Sequence, residues 1–326
     1  MFALTNKPEM GARFYSALIQ LSADHERGVD GMKVIQHMAG VLVETYLTFE
    51  EPDQAMQASF QKLAGLLGCH PAEGMLAPYA LPPAHIIDYE TERGRLAARV
   101  FFEEWLDCNF ELHDLMLVVF QHVIVGWEEM GLHRAETFRL LMECVKKSMA
   151  FEVAAQELCD VSIVTKVSPK GWSGGDCIAS LCGVAGQRLA ISLSRSEVSQ
   201  GLFRGCDMPA VLDRVVHTMT QEAVRLGVPA GSDWRFGLAA NDTPINAPVH
   251  LIRELEPLCL RFFRVIGLSG PYDQAIACAK AAGRMIAVTS SGELPEIEPA
   301  IAKPLAMAAI TESYKHVCLD FEMVSY

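Results

Sequence analysis

The sequence lacks a long apolar run, and this absence excludes a membrane-spanning protein. Its longest apolar stretch, residues 115–127, is interrupted by Gln121 and His122 and flanked by Asp114 and Glu128. A transmembrane helix needs about 20 consecutive apolar residues, so this stretch is too short and too polar to cross a bilayer.

Basic residues are also scarce, because 27 Lys and Arg stand against 40 Asp and Glu. The imbalance belongs to the first half: residues 1–158 hold 12 basic and 23 acidic residues, while residues 159–326 hold 15 and 17. An acidic surface repels phosphate backbones and anionic lipids. The longest basic run that we find is Lys146 and Lys147. We therefore expect neither nucleic acid nor a membrane surface as a partner.

The ten cysteines include no Cys-x-x-Cys pair, and the closest two are Cys177 and Cys182. Zinc ribbons and thioredoxin-type redox sites need the shorter spacing. No secretory leader pattern precedes the cysteines, and a chain of this length does not need disulfides to fold. We expect reduced thiols and a cytoplasmic location.

The hydrophobic pattern divides the chain into two parts. From residue 8 to 158 the apolar positions recur every three or four residues, which predicts helices over 9–23, 28–49, 52–67, 89–131 and 134–158. After residue 159 the pattern predicts strands over 161–167, 177–184, 188–194, 234–239, 258–268, 285–290 and 316–324, with helices over 196–203, 210–226, 247–255 and 271–283. The expected fold is an acidic all-α helical bundle over 1–158, followed by an α/β or α+β domain with a mixed sheet over 159–326.

The sharpest motif is G-x-S-x-G at Gly171, Ser173 and Gly175, which resembles the nucleophile elbow of α/β-hydrolases. Such a turn needs glycines so that the serine oxygen stands clear of the backbone. This motif makes Ser173 a candidate nucleophile, and it makes Gly171, Gly174, Gly175 and Asp176 candidate ligand contacts. The alternative, which we favour, is a glycine-rich turn between strands, because no His-Gly-Gly segment precedes the motif and no Asp-then-His pair stands out after it.

A second glycine-rich turn, Gly267-Leu268-Ser269-Gly270, lies between a predicted strand and a predicted helix. A turn of this kind can hold an anion on free helix N–H groups, so Gly267, Ser269 and Gly270 are candidate ligand contacts. The turn lacks the third glycine of the dinucleotide fingerprint, which favours an ordinary tight turn.

An acidic stripe on the long predicted helix contains Glu104, Glu111, His122 and Glu129. Di-metal helical bundles use Glu-x-x-His pairs, and the chain contains none. We interpret the stripe as a solvated face and predict no metal site. The sequence leaves the cofactor unknown.

The order helix, strand, Gly175-Asp176, strand, turn, strand, Ser196-Glu197 helix, over residues 137–203, resembles the start of chemotaxis phosphatases of the CheC and CheX type. The resemblance covers under a quarter of the chain and implies a signalling domain. The Glu-x-x-Asn signature that carries phosphatase activity in that family does not occur in this sequence, so the resemblance does not imply catalysis here.

Taken together, these features favour a regulatory, ligand-binding or assembly protein without its own catalysis. The helical part would contact a protein partner or a second copy, because helices rich in Met and Phe suit such contacts. The second part would hold a small-molecule ligand. The alternatives are a serine hydrolase that uses Ser173 and a CheC/CheX-like signalling domain.

Overall fold

The computed structural model describes residues 7–24, 28–49, 84–106, 128–129, 131, 134–168, 171–193, 210–229, 248–291 and 296–323. The chain divides into two compact units, residues 1–149 and 150–326. Each unit has its own set of packed helices.

The first unit contains helices α1 (Lys7–Ser22), α2 (Gly31–Phe49) and α3 (Ala84–Leu106), with two short strands, β1 (Ala23–Asp24) and β2 (Gly28–Val29). The two strands pair antiparallel. Helix α4 (Arg134–Thr165) begins in this unit and ends in the second. Among the described helices of the first unit, α2 and α3 share a larger contact than α1 makes with either of them.

Glycines bring the backbones of α2 and α3 into direct contact. A Cβ atom on Gly40 would lie 2.0 Å from the carbonyl oxygen of Thr91, and a Cβ on Gly94 would lie 2.0 Å from that of His37. No side chain fits in either space, so both positions require glycine for the helices to approach this closely.

The second unit contains strands β3 (Val167–Ser168) and β4 (Gly171–Trp172) and helices α5 (Gly174–Ser192), α6 (Ala210–Arg225), α7 (Pro248–Ile266), α8 (Pro271–Ser290) and α9 (Pro299–Met323). Helix α5 is central, because α7, α8 and α9 all pack against it, and α6 packs against α8. Small residues permit this crowding: a Cβ on Gly186 of α5 would lie 2.2 Å from the Ile310 carbonyl oxygen of α9.

The predicted α/β or α+β domain with a mixed sheet is wrong. Residues 161–165 belong to α4, 177–184 and 188–192 to α5, 258–266 to α7, 285–290 to α8 and 316–323 to α9. Within the described ranges, β structure is limited to the two-residue ladders β1–β2 and β3–β4.

The physical reason for the error is burial. Fourteen of the nineteen residues of α5 are buried, and so are fourteen of the twenty residues of α8. Helices that are covered on most sides have no polar stripe, so a continuous apolar run of small residues does not distinguish them from buried strands.

The layout behind the CheC/CheX resemblance is not observed either. Gly175 and Asp176 form the first turn of α5 rather than a connection between strands. The predicted helices over 52–67 and 196–203, the strand over 234–239 and residues 107–127 of the predicted long helix lie outside the described residues. In the part of the chain that the structure describes, no helix combines the length and the apolarity needed to cross a membrane.

Candidate functional site

The G-x-S-x-G segment forms the start of a helix. Gly171 and Trp172 make up β4, and Ser173 is the N-cap of α5, with extended backbone angles of φ −109° and ψ 110°. The Ser173 Oγ accepts the N–H of Asp176 at 3.3 Å, which is the usual N-cap hydrogen bond. Within the described residues, no histidine bonds to Ser173. The serine therefore stabilises the end of a helix.

The same helix end is closed by a carboxylate of the chain itself. The N–H of Gly174 donates to Oε1 of Glu296 at 2.6 Å. A Cβ on Gly174 would lie 2.4 Å from Cγ2 of Thr289, so the turn also packs tightly against α8. A free N–H at a helix start is what an oxyanion or a phosphate would bind, and Glu296 occupies that of Gly174.

The segment Gly267 to Gly270 is a corner between two helices. Gly267 has φ +77°, and the N–H of Leu268 donates to the Phe263 carbonyl oxygen at 2.9 Å, which is the Schellman ending of α7. Gly270 is the N-cap of α8. The Gln274 side chain donates from Nε2 to the Leu268 carbonyl oxygen at 2.9 Å. The strand predicted before this turn, over 258–268, is wrong, because residues 258–266 belong to α7. The helix predicted after the turn is observed as α8.

The two glycine-rich turns do not form one site. Thr289, which contacts Gly174, lies near the last residue of α8, whereas Gly270 caps its first residue. A helix of 20 residues is about 30 Å long. The candidate ligand contacts Gly171, Gly174, Gly175 and Asp176 therefore lie far from Gly267, Ser269 and Gly270.

A hydrogen-bonded Ser-His-Glu chain in the first unit was missed by the sequence analysis. His37 of α2 lies between Ser22 of α1, with Nδ1 2.7 Å from Oγ, and Glu90 of α3, with Nε2 2.7 Å from Oε2. The order of the three groups matches that of a catalytic triad. Ser22 and His37 are completely buried, however, and Glu90 is 5% exposed, so no substrate reaches the serine in this structure.

The protonation states of Ser22, His37 and Glu90 follow from their burial and from the charged groups near them. Burial lowers the pKa of His37, and the hydrogen bond with Glu90 only partly offsets this effect. Burial alone would raise the pKa of Glu90, but the bond from His37 and the nearby cations Arg93 and Lys33 lower it overall. Both pKa shifts agree with a neutral His37 that donates from Nε2 to an ionised Glu90. The Ser22 hydroxyl has one hydrogen, and two acceptors lie 2.7 Å from its Oγ: Nδ1 of this neutral His37 and the Leu18 carbonyl oxygen.

A buried ion network continues between the same two helices. Arg95 of α3 is fully buried, and it donates from Nε to Glu44 of α2 at 2.8 Å and from Nη1 to Glu92 at 3.0 Å. Arg99 also donates to Glu44. Because His37 contacts Glu90 and Glu44 contacts Arg95 and Arg99, α2 and α3 run in the same direction.

The second unit contains its own buried ion network, formed by Glu152 of α4, Glu222 and Arg225 of α6, and Lys280 and Arg284 of α8. Lys280 Nζ lies 2.9 Å from Oε1 of Glu152. Arg284 contacts both carboxylates, through Nη2 to Glu152 and through Nε to Glu222 at 2.9 Å. Arg225 bonds to Glu222 at 2.8 Å through Nε. Both carboxylates and Lys280 are at most 5% exposed, so the network ties three helices together in the interior.

The described cysteines are free, buried thiols. Burial raises the pKa of Cys159 to about 11 and those of Cys144 and Cys177 to about 12. Burial also raises the pKa of Cys182 and Cys278. A thiol needs its thiolate form to act as a nucleophile or a metal ligand, so these residues are core residues. No group of three His, Cys, Asp or Glu side chains within the described ranges is arranged to hold a metal ion.

The chain matches no protein family profile, no curated protein and no solved structure. Its function therefore has to be argued from its own residues. One sequence signal could have pointed to the buried networks: His37 and Glu44 are seven residues apart on the apolar face of α2, where a polar side chain needs a partner.

Proposed function

We propose that this chain is a regulatory, ligand-binding or assembly protein without catalysis of its own, which acts through the surfaces of its helices. The observation that carries the proposal is the use of Ser173 as a helix cap, with the neighbouring Gly174 N–H bound to Glu296. The nucleophile candidate and the adjacent donor are thus both engaged in holding the fold.

The charged clusters support the same proposal. Catalytic groups must reach a substrate, whereas Glu44 and Arg95 in the first unit, and Glu152 and Lys280 in the second, are buried and paired with each other across helices. Pairs of this kind set which helix faces meet and in what register. They make each unit a defined body whose outer helix faces are available for contacts.

The partner that we propose is a protein, including a second copy of this chain, and we propose a small-molecule ligand in addition. The formal net charge of −13 argues against nucleic acid and anionic membranes as partners. A cytoplasmic location is part of the proposal, and it is supported by the free thiols at all six described cysteines.

The rival function is a serine hydrolase, and an active-site probe separates the two. The full chain, Ser173→Ala and Ser22→Ala are incubated with a fluorophosphonate and examined for a covalent adduct by intact mass. We expect no adduct on any of the three proteins. An adduct that disappears in only one variant would identify its serine as a reactive nucleophile and refute the proposal. Phosphonylation of chymotrypsin in a parallel sample confirms that the probe is active.

A further inference from the structure

Gln36 of α2 carries a side-chain amide that is completely buried, with an exposed fraction of 0%. Neither its Oε1 nor its Nε2 has a hydrogen-bond partner, and among the described residues Gln36 is the only side chain with two such atoms. Most buried polar atoms in native proteins are hydrogen-bonded, because an amide that leaves water without gaining a partner is costly. The Gln36 amide therefore needs a partner that the described residues do not supply.

The position of Gln36 within the contact between α2 and α3 makes this lack specific. Lys33, Gln36 and Glu44 are spaced by three and eight positions, so they lie on one face of α2. Lys33 pairs with Glu90 of α3 at 3.9 Å, and Glu44 pairs with Arg95 of α3 at 2.8 Å. Gln36 thus lies between two polar residues of α2 that are each paired with α3.

The chemistry of the amide defines what would satisfy it. A carboxamide presents an acceptor oxygen beside a donor NH₂ group, and a second carboxamide or a lactam presents the complementary donor and acceptor. Nearby residues of α2 are apolar: Val34, Ile35, Met38 and Val43 are at most 1% exposed. Sites for small molecules are mostly apolar, with a few polar groups that fix the orientation of the ligand. A polar amide among apolar neighbours fits that description.

We infer that the first unit binds a small, largely apolar molecule that ends in a carboxamide or a lactam, and that the Gln36 amide recognises this end through two hydrogen bonds. This inference rests on the proposed ligand-binding function and specifies the class of ligand. It places the ligand in the first unit, whereas the sequence pattern favoured the second part of the chain. Because the amide is buried, the ligand reaches it through a local opening of the unit.

The first test compares two buried glutamines in the ligand-free full chain. Gln36→Met keeps the length of the side chain and removes both polar atoms. Gln274→Met is the matched control, because Gln274 is also buried but its Nε2 donates to the Leu268 carbonyl oxygen at 2.9 Å. Urea unfolding is monitored by hydrogen exchange on peptides from α2 and α8. We expect Gln36→Met to raise the midpoint of the first unit by about 0.5 M or more, and Gln274→Met to lower that of the second unit.

The second test measures binding by ligand-observed NMR titration. The probes are benzamide and 2-pyridone, a carboxamide and a lactam on apolar rings, and their controls are N,N-dimethylbenzamide and N-methyl-2-pyridone, which lack the amide N–H. We expect the wild-type chain to bind at least one probe with a dissociation constant below about 1 mM. N-methylation of that probe, or Gln36→Met in the protein, should raise this constant about 10-fold or more. Gln274→Met should leave it within about twofold.

Three results would overturn the inference. The first is a lower midpoint of the first unit in Gln36→Met, which would show that the amide is already paired in the free protein. The second is a wild-type chain that binds neither probe, and the third is binding that N-methylation or Gln36→Met leaves unchanged. None of these results bears on catalysis. A fluorophosphonate adduct on Ser173 or Ser22 would instead refute the proposed function, whatever the probes bind.

Discussion

Replacement of Glu152 by Gln should destabilise the second unit strongly, because Glu152 is the carboxylate on which three buried or nearly buried cations converge. Its Oε1 lies 2.9 Å from Lys280 Nζ, and its Oε2 contacts Arg284 and lies 3.5 Å from Arg225 Nη2. A glutamine of the same size keeps the packing but removes the negative charge and turns an NH₂ group toward at least one cation.

The magnitude follows from the partners that remain. Removal of one member of a buried ion pair costs about 3–5 kcal/mol. Glu222 still neutralises Arg225 and Arg284, so we expect about 3 kcal/mol, the lower end of this range, with Lys280 as the main source of the cost. Lys280→Met removes one of the three cations and leaves Glu152 bonded to Arg284, so we expect it to cost less than half as much.

The full chain is unfolded in urea, and its unfolding is monitored by pulsed hydrogen exchange. Peptides from α5 and α8 report the second unit alone. With a slope of about 2 kcal/mol/M, a loss of about 3 kcal/mol lowers the midpoint by about 1.5 M. Glu312→Gln is the matched control, because Glu312 is 70% exposed in its side chain and should shift the midpoint very little. Equal midpoints for Glu152→Gln and Glu312→Gln would show that the network does not hold the unit together.

Three further outcomes are expected. Gly40→Ala should separate α2 from α3 and speed hydrogen exchange in both helices, because its Cβ would meet the Thr91 carbonyl oxygen at 2.0 Å; unchanged exchange would contradict the close packing. Gly267→Ala should cost about 1–2 kcal/mol in urea unfolding, since φ is +77° at that position, and wild-type stability would exclude the left-handed turn. Because burial lowers the pKa of His37, the unfolded chain binds the proton more readily, so the stability of the first unit should fall as the pH drops below about 6.5. His37→Gln should flatten that dependence in exchange measurements on α2 at pH 7.5 and 5.5, and an unchanged slope would assign it to other groups.

Helices in which polar residues interrupt the apolar ones at helical spacing could be predicted from the sequence. The pattern predicted helices over 28–49 and 210–226, and the structure has them at Gly31–Phe49 and Ala210–Arg225. In each case polar residues interrupt the apolar ones at helical spacing, so the period was visible without a partner. The helix predicted over 271–283 was likewise correct, although α8 continues to Ser290.

The candidate site could be predicted only in part. Residues 171–175 were predicted as a glycine-rich turn between strands, but the structure has strand β4 at Gly171–Trp172 and the start of α5 at Gly174. The role of Ser173 as a helix cap depends on α5, which had been predicted as two strands. The Ser22, His37 and Glu90 chain was not predicted, because its members are 15 and 53 positions apart and no local pattern relates them.

By itself, the sequence determined the acidity of the first half and the helices in which polar residues recur at helical spacing, since charge and helical period are local properties. Only the tertiary structure decided that the described segments of the second half are almost entirely helical. Its central helices α5 and α8 are enclosed by neighbouring helices. Their small buried residues allow close helix packing, but the same residues would also fit a buried strand of a sheet. The role of Ser173 was also decided by the tertiary structure. Its motif made it a candidate nucleophile, but in the fold it accepts the N–H of Asp176 as a helix cap, and Glu296 binds the N–H of Gly174 at the same helix end.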